Sequence, residues 1–379
     1  MSAAGAKPRI LHLHSTFDAG GKEVRCVRLI NALSREAEHA IVSSDYEKRG
    51  AAKLLDRKAN VSWPPFPSLN GKPWPRRLAK LAAAMQNYDL ICTYNWGAMD
   101  AVLAHTLFAD AFNLPPLIHH EDGFNEDEAD GLKASRNFYR RIALGRTSAL
   151  VVPSRTLETV ALRAWHQPRS RVRRIPNGIA TMDYAGKPKR DLLPGLVKRK
   201  GELWAGTLAG LRKVKNLPAM VRAFAGLPEE WQLVIAGEGP ERGAIEEEAR
   251  RLGIEDRVHL PGFTDAASLA PLFDIFVLSS QSEQFPISVL EAMAAGVPVA
   301  APAVGDVSGM VAKENLPFIV APEDEAALGA AMVALAADPV LRTKVGMANR
   351  AKAREEYEEA KMVERYKALY WSVMEQRAG

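Results

Sequence analysis

SSQSEQFPISVLEAMAAGVP, residues 279–298, joins two apolar runs. The run Ile275–Ser279 leads into it and the run Pro298–Ala301 leads out of it, and both predict buried strands. Between them, Pro286 suits the first turn of a helix and Gly296 suits its C-terminal cap. The segment is therefore predicted to be strand–helix–strand, the repeating unit of a parallel α/β sheet.

The same alternation extends in both directions along the chain. In the first half, helices are predicted at Arg25–Ser34 and Ala98–Phe112, between strands at Ile10–Leu13, Ala40–Ser43, Leu90–Thr93, Leu117–His120 and Leu150–Pro153. In the second half, further strands are predicted at Leu203–Thr207, Gln232–Ala236 and Val258–Leu260. The pattern predicts two Rossmann-like sheets.

A chain of 379 residues is longer than one core usually supports, so two domains are expected. Turn residues cluster between the two halves, where periodicity is lost. The predicted organisation is an N-terminal domain at residues 1–180, a linker at 181–200, a C-terminal domain at 201–356 and a last helix at 357–379. Four aromatic residues in or beside that helix predict that it packs onto another element: Tyr357, Tyr366, Tyr370 and Trp371.

Composition limits the function classes. Hydrophobic residues make up 47% of the chain and charged residues 25%, which is typical of a globular protein. No apolar stretch approaches the roughly 20 residues of a membrane-spanning helix, and two cysteines do not make a disulfide framework, so a cytoplasmic protein is expected. Residues 1–180 carry a net charge of +9 and the remainder −4, which predicts different partners for the two halves. No nucleic-acid-binding module is present.

Two carboxylates mark the helix of residues 279–298 as a binding site. Glu283 is expected in the loop before the helix, and Glu291 within it. A helix that begins at the carboxyl end of a parallel strand presents free N–H groups and the positive end of its dipole, which favour a phosphate. Glu291 could then bind a ribose hydroxyl.

The spacing of these glutamates carries a family resemblance. The frame Ser-x-x-Glu-x-Phe-Pro…Glu-Ala-Met-Ala-x-Gly-x-Pro-Val, with Glu283 and Glu291 as its glutamates, resembles the family 4 retaining glycosyltransferases of GT-B fold. The resemblance implies an α/β protein with two Rossmann-like domains whose parallel sheets face each other across a cleft, and a C-terminal helix that crosses back to the N-terminal domain. It also implies a nucleotide diphosphate sugar as donor, bound by the C-terminal domain, and an acceptor bound by the N-terminal domain.

By the same resemblance, Glu283 would lie near the donor sugar or its phosphate and Glu291 would hold the ribose. The other implied donor-binding residues are Gln284, Phe285, Pro286, Ile287, Gly237, Gly239 and His259. Gln284 stands where the family commonly has glycine, so it could tune donor choice. His259 belongs to a strand that would hold the base through main-chain contacts.

The family supplies an arginine and a lysine to the departing diphosphate. Lys215 falls on the lysine position, but Gly210 stands at the arginine position. Either Arg212 supplies the second cation or the site works with one. The need for cations is chemical, because negative charge develops on the leaving oxygens.

In the N-terminal half, Gly20 and Gly21 look like the family's Gly-Gly loop, which closes over the donor phosphates and the acceptor. The family also places a histidine at the transferring sugar, after a strand. Depending on the register, that histidine is His119, with Asp122 replacing a second histidine, or it is His120. A purely structural histidine is the alternative.

The expected function is therefore transfer of a hexose-type sugar, with retention, to a saccharide or lipid-linked acceptor in cell-envelope glycan or glycolipid synthesis. No metal or other cofactor is expected. The alternatives are a non-catalytic nucleotide-sugar-binding subunit and a GT-B-fold epimerase. A dehydrogenase is disfavoured because no Gly-x-Gly-x-x-Gly follows the first strand of either half.

A segment rich in Trp, Pro and Arg, residues 63–77, has two readings. With the basic N-terminal half, it could contact the anionic inner face of the cell membrane. Alternatively, it is a proline-stiffened connector that packs on its own domain.

Overall fold

The computed structural model describes residues 7–18, 20–124, 128, 131–186 and 196–378. The chain divides into two compact units. The first unit comprises Met1–Pro176 together with Met362–Gly379, and the second comprises Asn177–Lys361. Residues 187–195 of the predicted linker lie outside the described residues.

The first unit, within its described residues, contains a seven-stranded parallel sheet of order β3-β2-β1-β4-β5-β6-β7. The strands are β1 (Arg9–His14), β2 (Glu38–Ser43), β3 (Val61–Ser62), β4 (Leu90–Tyr94), β5 (Leu117–His120), β6 (Ala149–Val152) and β7 (Val172–Arg174). The helices are α1 (Gly21–Leu33), α2 (Pro75–Met85), α3 (Met99–Phe108), α4 (Ala134–Ala143) and α5 (Arg155–Arg163). The strand order reverses between β1 and β4, which is the switch point where such sheets bind ligands.

The described part of the second unit repeats this plan with six parallel strands in the order β10-β9-β8-β11-β12-β13. The strands are β8 (Leu203–Leu208), β9 (Trp231–Ala236), β10 (Val258–Gly262), β11 (Ile275–Val277), β12 (Val299–Pro302) and β13 (Ile319–Val320). The helices are α6 (Leu217–Phe224), α7 (Arg242–Arg251), α8 (Ala266–Leu269), α9 (Ile287–Ala295), α10 (Val307–Met310), α11 (Glu325–Ala337) and α12 (Pro339–Glu356). Here the order reverses between β8 and β11.

The last helix, α13 (Glu359–Ala378), begins in the second unit and continues into the first. Its tyrosines Tyr366 and Tyr370 are fully buried in the core of the first unit, together with Met362 and Val373. The predicted return of this helix to the N-terminal domain is confirmed.

The sequence missed three short edge strands and misplaced one helix start. β3, β7 and β13 have only two or three residues each, too few for an alternating pattern to show. α1 begins at Gly21 rather than at Arg25, because the predicted glycine loop runs directly into the helix.

Candidate functional site

The loops that follow β8 and β11 meet at the switch point of the second sheet. Lys215 lies after β8 and Glu283 after β11, and Lys215 Nζ is 2.5 Å from Glu283 Oε1. Ser280 donates a hydrogen bond to the same carboxylate oxygen over 2.7 Å. Only 16% of the lysine side chain and 11% of the glutamate side chain are exposed. The fold thus brings together two of the residues that the family resemblance places at the donor, Lys215 and Glu283.

Two further hydrogen bonds fix these loops to each other. The hydroxyl of Ser279 donates to the carbonyl of Lys215 over 2.8 Å. The backbone N–H of Gln281 donates to the carbonyl of Val214 over 2.9 Å. Because backbone atoms are held on both sides, the Lys215–Glu283 pair is positioned by the fold and not only by mutual attraction.

Helix α9 begins directly after this loop. Pro286 is its N-cap residue, one position before the predicted first turn, and Ile287 is the first helical residue. Gly296 is the C-cap, at φ +75°, as predicted. The Phe285 ring packs edge-on against Tyr357 at 5.7 Å. The N-terminus of α9 therefore lies at the same edge of the sheet as the Lys215–Glu283 pair.

Glu291 lies on α9, one helical turn beyond its start. The hydroxyl of Tyr184 donates a hydrogen bond to Glu291 Oε1 over 3.0 Å, and Tyr184 is only 5% exposed. A buried phenol that donates to a carboxylate fixes its orientation. Tyr184 is thus a positioning residue that the sequence did not reveal, because it lies 107 positions away.

Gly305 is a second residue that sequence reasoning missed. It follows β12, has φ +56°, and a Cβ there would lie 2.4 Å from the carbonyl oxygen of Glu283 and 2.7 Å from that of Gln284. The N–H of Asp306 donates to the Gln284 carbonyl over 3.0 Å. This turn therefore supports the backbone beneath Glu283, and only glycine fits there.

The loop after β8 shows how the arginine position is occupied. The structure places Arg212 Nε 3.5 Å from where a Cβ of Gly210 would be. Gly210 and Arg212 are both exposed. Within the described residues, the Arg212 guanidinium forms no hydrogen bond or ion pair. The arginine side chain thus reaches the space beside Gly210, two positions from where the family has its arginine.

Gly237 and Gly239 lie in the loop after β9, next to the β8 loop. A Cβ at Gly237, φ +146°, would lie 1.9 Å from the Ala209 carbonyl oxygen, and one at Gly239 would lie 2.3 Å from that of Leu211. The Leu211 N–H also donates to the Glu238 carbonyl over 2.9 Å. In this structure the two glycines allow close contact with residues 209–211. These contacts do not test the predicted approach of the glycines to a nucleotide, which stays a prediction.

His259 lies in the edge strand β10. Its Nε2 is 2.9 Å from Gln232 Oε1, and burial lowers its pKa. The pairing register of β10 with β9 shifts between His259 and Gly262, a stretch that contains Pro261, which has no N–H to donate. The predicted role in holding a base is untested by this geometry.

In the first unit, the predicted glycine loop forms a helix start. Gly20 is the N-cap residue of α1 and Gly21 its first residue. Both are exposed. Their N-terminal position after β1 places backbone N–H groups at the switch point of the first sheet.

The candidate histidines are both fully buried in β5. His119 Nδ1 is 2.8 Å from the Thr93 hydroxyl, and its Nε2 is 3.7 Å from a Glu121 carboxylate oxygen. His120 Nδ1 is 3.2 Å from the Thr93 carbonyl. Asp122 receives two hydrogen bonds from Arg25, one of them 2.7 Å long. All three candidates are thus engaged within the unit, and a role at a sugar stays a prediction.

His14, at the carboxyl end of β1, was not singled out from the sequence. It is fully buried, its ring stacks on Tyr94 at 4.0 Å, and neither ring nitrogen has a hydrogen-bond partner among the described residues. Burial, followed by the charge of Lys22, lowers its pKa well below the usual value.

The remaining sequence hypotheses have a mixed outcome. In residues 63–77, Trp63 packs edge-on against Phe17 at 5.6 Å and Phe66 packs on the core, as a connector would. Trp74, however, is 66% exposed. The sequence also has an acidic run from Glu121 to Asp130, interpreted as an acceptor-side loop, and residues 125–127 and 129–130 of that run lie outside the described residues.

Among the described residues, no three His, Cys, Asp or Glu side chains form a cluster suited to a metal ion. No single helix among the described residues is long and apolar enough to span a membrane. Helices α11 and α12 together have sufficient length and apolar composition, but the chain bends by 106° between them.

Two family models together cover most of the chain. The model for Glycosyltransferase Family 4 matches residues 19–182, and that for Glycosyl transferases group 1 matches residues 189–354. The N-acetyl-alpha-D-glucosaminyl L-malate synthase of Bacillus anthracis is 31% identical over 170 residues, which are 44% of this chain and 45% of that protein. The chain thus spans about half the length of the first curated relatives that it matches, 45% of this one and 57% of the putative glycosyltransferase EpsF of Bacillus subtilis.

Two longer matches cover most of the chain. The D-inositol 3-phosphate glycosyltransferase of Xylanimonas cellulosilytica is 24% identical and covers 89% of this chain and 88% of its own. The crystal structure of Anabaena HepE in complex with UDP and glucose superposes with a TM-score of 0.79 at 19% identity, covering 96% of this chain and all of that chain. The predicted fold class is confirmed, and the chain belongs to the family 4 glycosyltransferases of GT-B fold.

Proposed function

We propose that the protein is a retaining glycosyltransferase that moves a hexose-type sugar from a nucleotide diphosphate sugar to a saccharide or lipid-type acceptor. The observation that carries the proposal is the Lys215–Glu283 pair at the switch point of the second sheet, 2.5 Å apart and mostly buried. This is the position at which open parallel sheets bind ligands. The relatives support transfer in glycan, glycolipid or cell-envelope synthesis.

The second unit would bind the donor. Glu291, oriented by Tyr184, would accept hydrogen bonds from the ribose hydroxyls. The N-terminus of α9 would bind the diphosphate through its free N–H groups and its dipole. Lys215, with Arg212 as second cation, would stabilise the charge that develops as the diphosphate departs.

A departing diphosphate leaves an oxocarbenium-like sugar, whose positive charge must be stabilised until the acceptor attacks. Glu283, mostly buried beside Lys215, would lie near that sugar. Retention would follow from the family resemblance, with no covalent protein nucleophile and no metal ion taking part.

The relatives suggest which donor to test first. HepE was crystallised with UDP and glucose, and the Bacillus anthracis relative is named for an N-acetylglucosaminyl group. We therefore expect a uridine diphosphate sugar to stabilise the protein. Guanosine and adenosine diphosphate sugars complete the panel.

The test measures donor-induced thermal stabilisation and slow donor hydrolysis to free nucleoside diphosphate. We expect one donor to give both signals. Glu291→Ala should remove both, whereas Lys215→Ala should lower turnover more than affinity, because leaving-group charge grows in the transition state. Lys213→Ala, an exposed lysine in the same turn, is the matched control and should resemble the wild type.

The other outcomes decide between alternatives. A donor that stabilises the protein but is neither hydrolysed nor transferred, even with membrane or glycan extracts added, would favour a non-catalytic sugar-nucleotide-binding subunit. Gly210 at the family's arginine position gives that alternative its basis. Absence of stabilisation by any donor would refute the donor site itself.

A lipid-type acceptor would bring the enzyme to the inner face of the cell membrane. Trp74 and Arg76, both exposed, are the residues that would contact an anionic surface. Co-sedimentation with phosphatidylglycerol vesicles, compared between wild type and Trp74→Ala/Arg76→Ala, tests this localisation. Equal recovery of both proteins in the pellet would contradict it.

A further inference from the structure

The first residues of the second unit, 177–184, contact the helix α9 and the loop before it at two places. Asn177 begins this unit, and its side-chain amide donates a hydrogen bond to the Phe285 carbonyl over 3.3 Å. Further along the segment, Tyr184 donates to Glu291 over 3.0 Å. The segment thus binds both the loop that leads into α9 and a carboxylate in the middle of the helix. Sequence patterns assigned no role to Asn177.

The orientation of the Phe285 carbonyl affects how α9 begins. This carbonyl belongs to the peptide that enters Pro286, the N-cap residue of the helix. Because proline has no N–H, the carbonyl is the only hydrogen-bonding group of that peptide. The peptide is planar, so fixing its carbonyl fixes the direction in which the chain enters α9.

The preceding carbonyl is held by a different segment. The N–H of Asp306 donates to the Gln284 carbonyl over 3.0 Å. Two separate segments therefore fix two successive carbonyls between Glu283 and α9. The C=O and N–H of one trans peptide point in opposite directions, so the N–H of Phe285 points away from Asp306. Contacts at the carbonyls thus determine where the N–H groups of this loop point.

The main chain of the segment is anchored independently of the Asn177 side chain. The N–H of Ile179 donates to the Tyr357 carbonyl, and the Ile179 carbonyl accepts from the N–H of Glu359, both over 2.9 Å. Ile179 is also fully buried, in the core that contains Val289 of α9. Removal of the Asn177 amide should therefore leave the course of the segment unchanged.

We propose that Asn177 is a positioning residue of the donor site. Its buried amide holds the Phe285 carbonyl so that the first N–H groups of α9 face the diphosphate of a bound nucleotide. This geometry exists before the ligand arrives, which lowers the cost of binding. The inference rests on the proposed binding of the donor by α9. It separates two roles, because Asn177 acts on the diphosphate whereas Tyr184, through Glu291, acts on the ribose.

The test compares a nucleoside diphosphate with its nucleoside on the full chain. Ligand-observed NMR titrations with UDP and uridine, and with the guanosine and adenosine pairs if UDP does not bind, give the two dissociation constants. The ratio of the nucleoside constant to the diphosphate constant measures the contribution of the phosphates. We expect Asn177→Ala to lower this ratio about two- to tenfold, the effect of one hydrogen bond. Tyr184→Phe should instead weaken both ligands and leave the ratio unchanged.

Two further variants separate the hydrogen bond from folding and packing. Thr181→Val removes a buried hydroxyl of the same segment that donates to Glu358, so it should lower thermal stability but keep the wild-type ratio. Asn177→Leu fills the volume of the amide without a donor and should resemble Asn177→Ala.

A wild-type ratio in Asn177→Ala, restoration of the ratio by Asn177→Leu, or an equal loss in Thr181→Val or Tyr184→Phe would overturn the inference alone. Failure of the wild type to bind any of the three diphosphates would instead overturn the donor site, and the inference with it.

Discussion

The hydroxyl of Tyr370 donates a hydrogen bond to Nε2 of His120 over 3.1 Å. The direction follows from the other ring nitrogen, because His120 Nδ1 faces the Thr93 carbonyl at 3.2 Å, and a carbonyl can only accept. Nδ1 therefore carries the proton and Nε2 accepts. One candidate histidine is thus held in a single tautomer by the last helix of the chain.

This bond predicts a difference between two buried tyrosines. Tyr370→Phe should lower the free energy of unfolding by about 1–3 kcal/mol, because it leaves a buried acceptor unpaired. Tyr366→Phe is the matched control, since the Tyr366 hydroxyl is buried without a hydrogen-bond partner among the described residues, and it should be neutral or stabilising. Urea unfolding of the full chain measures both, and equal losses would contradict the prediction.

Gly305→Ala should impair the donor site. A Cβ there meets the carbonyl oxygens of Glu283 and Gln284 and requires an unfavourable φ of +56°, a strain of about 1–3 kcal/mol. We expect lower thermal stability and slower donor hydrolysis. Gly309→Ala is the control, because a Cβ there has open space around it. A wild-type rate of donor hydrolysis in Gly305→Ala would show that the position of Glu283 does not depend on this packing.

The pair Gly210 and Arg212 offers a position-swap experiment. Arg212→Ala should reduce turnover by roughly 10²-fold, the typical effect of losing one preorganised group that stabilises developing charge, with little change in nucleotide affinity. Adding Gly210→Arg to that variant should restore part of the turnover, since a Cβ at 210 fits with its nearest described neighbour at 3.5 Å. Donor-hydrolysis rates decide, and full activity of Arg212→Ala would mean that Lys215 suffices.

Buried histidines predict sensitivity to acid. Burial lowers the pKa of His12, His14 and His120 well below the usual value and that of His39 to about 4. Because the unfolded chain binds more protons in this range, stability should fall as the pH drops below about 6.5, by up to about 1.4 kcal/mol per pH unit for each histidine.

The measurement is the free energy of unfolding between about pH 6.5 and pH 5. His39→Gln should reduce the slope, whereas His166→Asn, at an exposed histidine, should leave it unchanged. A flat profile in the wild type would show that the buried imidazoles do not control acid stability.

The sequence predicted the parts of the fold that local patterns encode. Long apolar runs identified the central strands, and Gly296 marked the end of α9 correctly. The edge strands β3, β7 and β13 escaped because two or three residues carry no periodicity. Their existence depends on pairing with a neighbour that is already in place.

For the candidate site, the sequence revealed the residues that share a distinctive spacing within one segment. It did not reveal the residues that are joined to the site only by contacts between distant segments. Glu283 and Glu291 stood out because eight positions separate them in a recognisable frame. The roles of Tyr184 and Gly305 depend on contacts that the fold makes between distant parts of the chain. Local sequence patterns do not show that Gly305 packs against the carbonyl oxygens of Glu283 and Gln284.

The course of the chain through the two units has a consequence for biosynthesis. The second unit, Asn177–Lys361, is continuous, whereas the first needs Met362–Gly379 to complete its core. A ribosome makes those residues only after all of the second unit, so the core of the first unit lacks Tyr366 and Tyr370 throughout the synthesis of the second. The first unit, although most of it is made before the second, should be unable to mature ahead of it and should depend more on chaperones during synthesis.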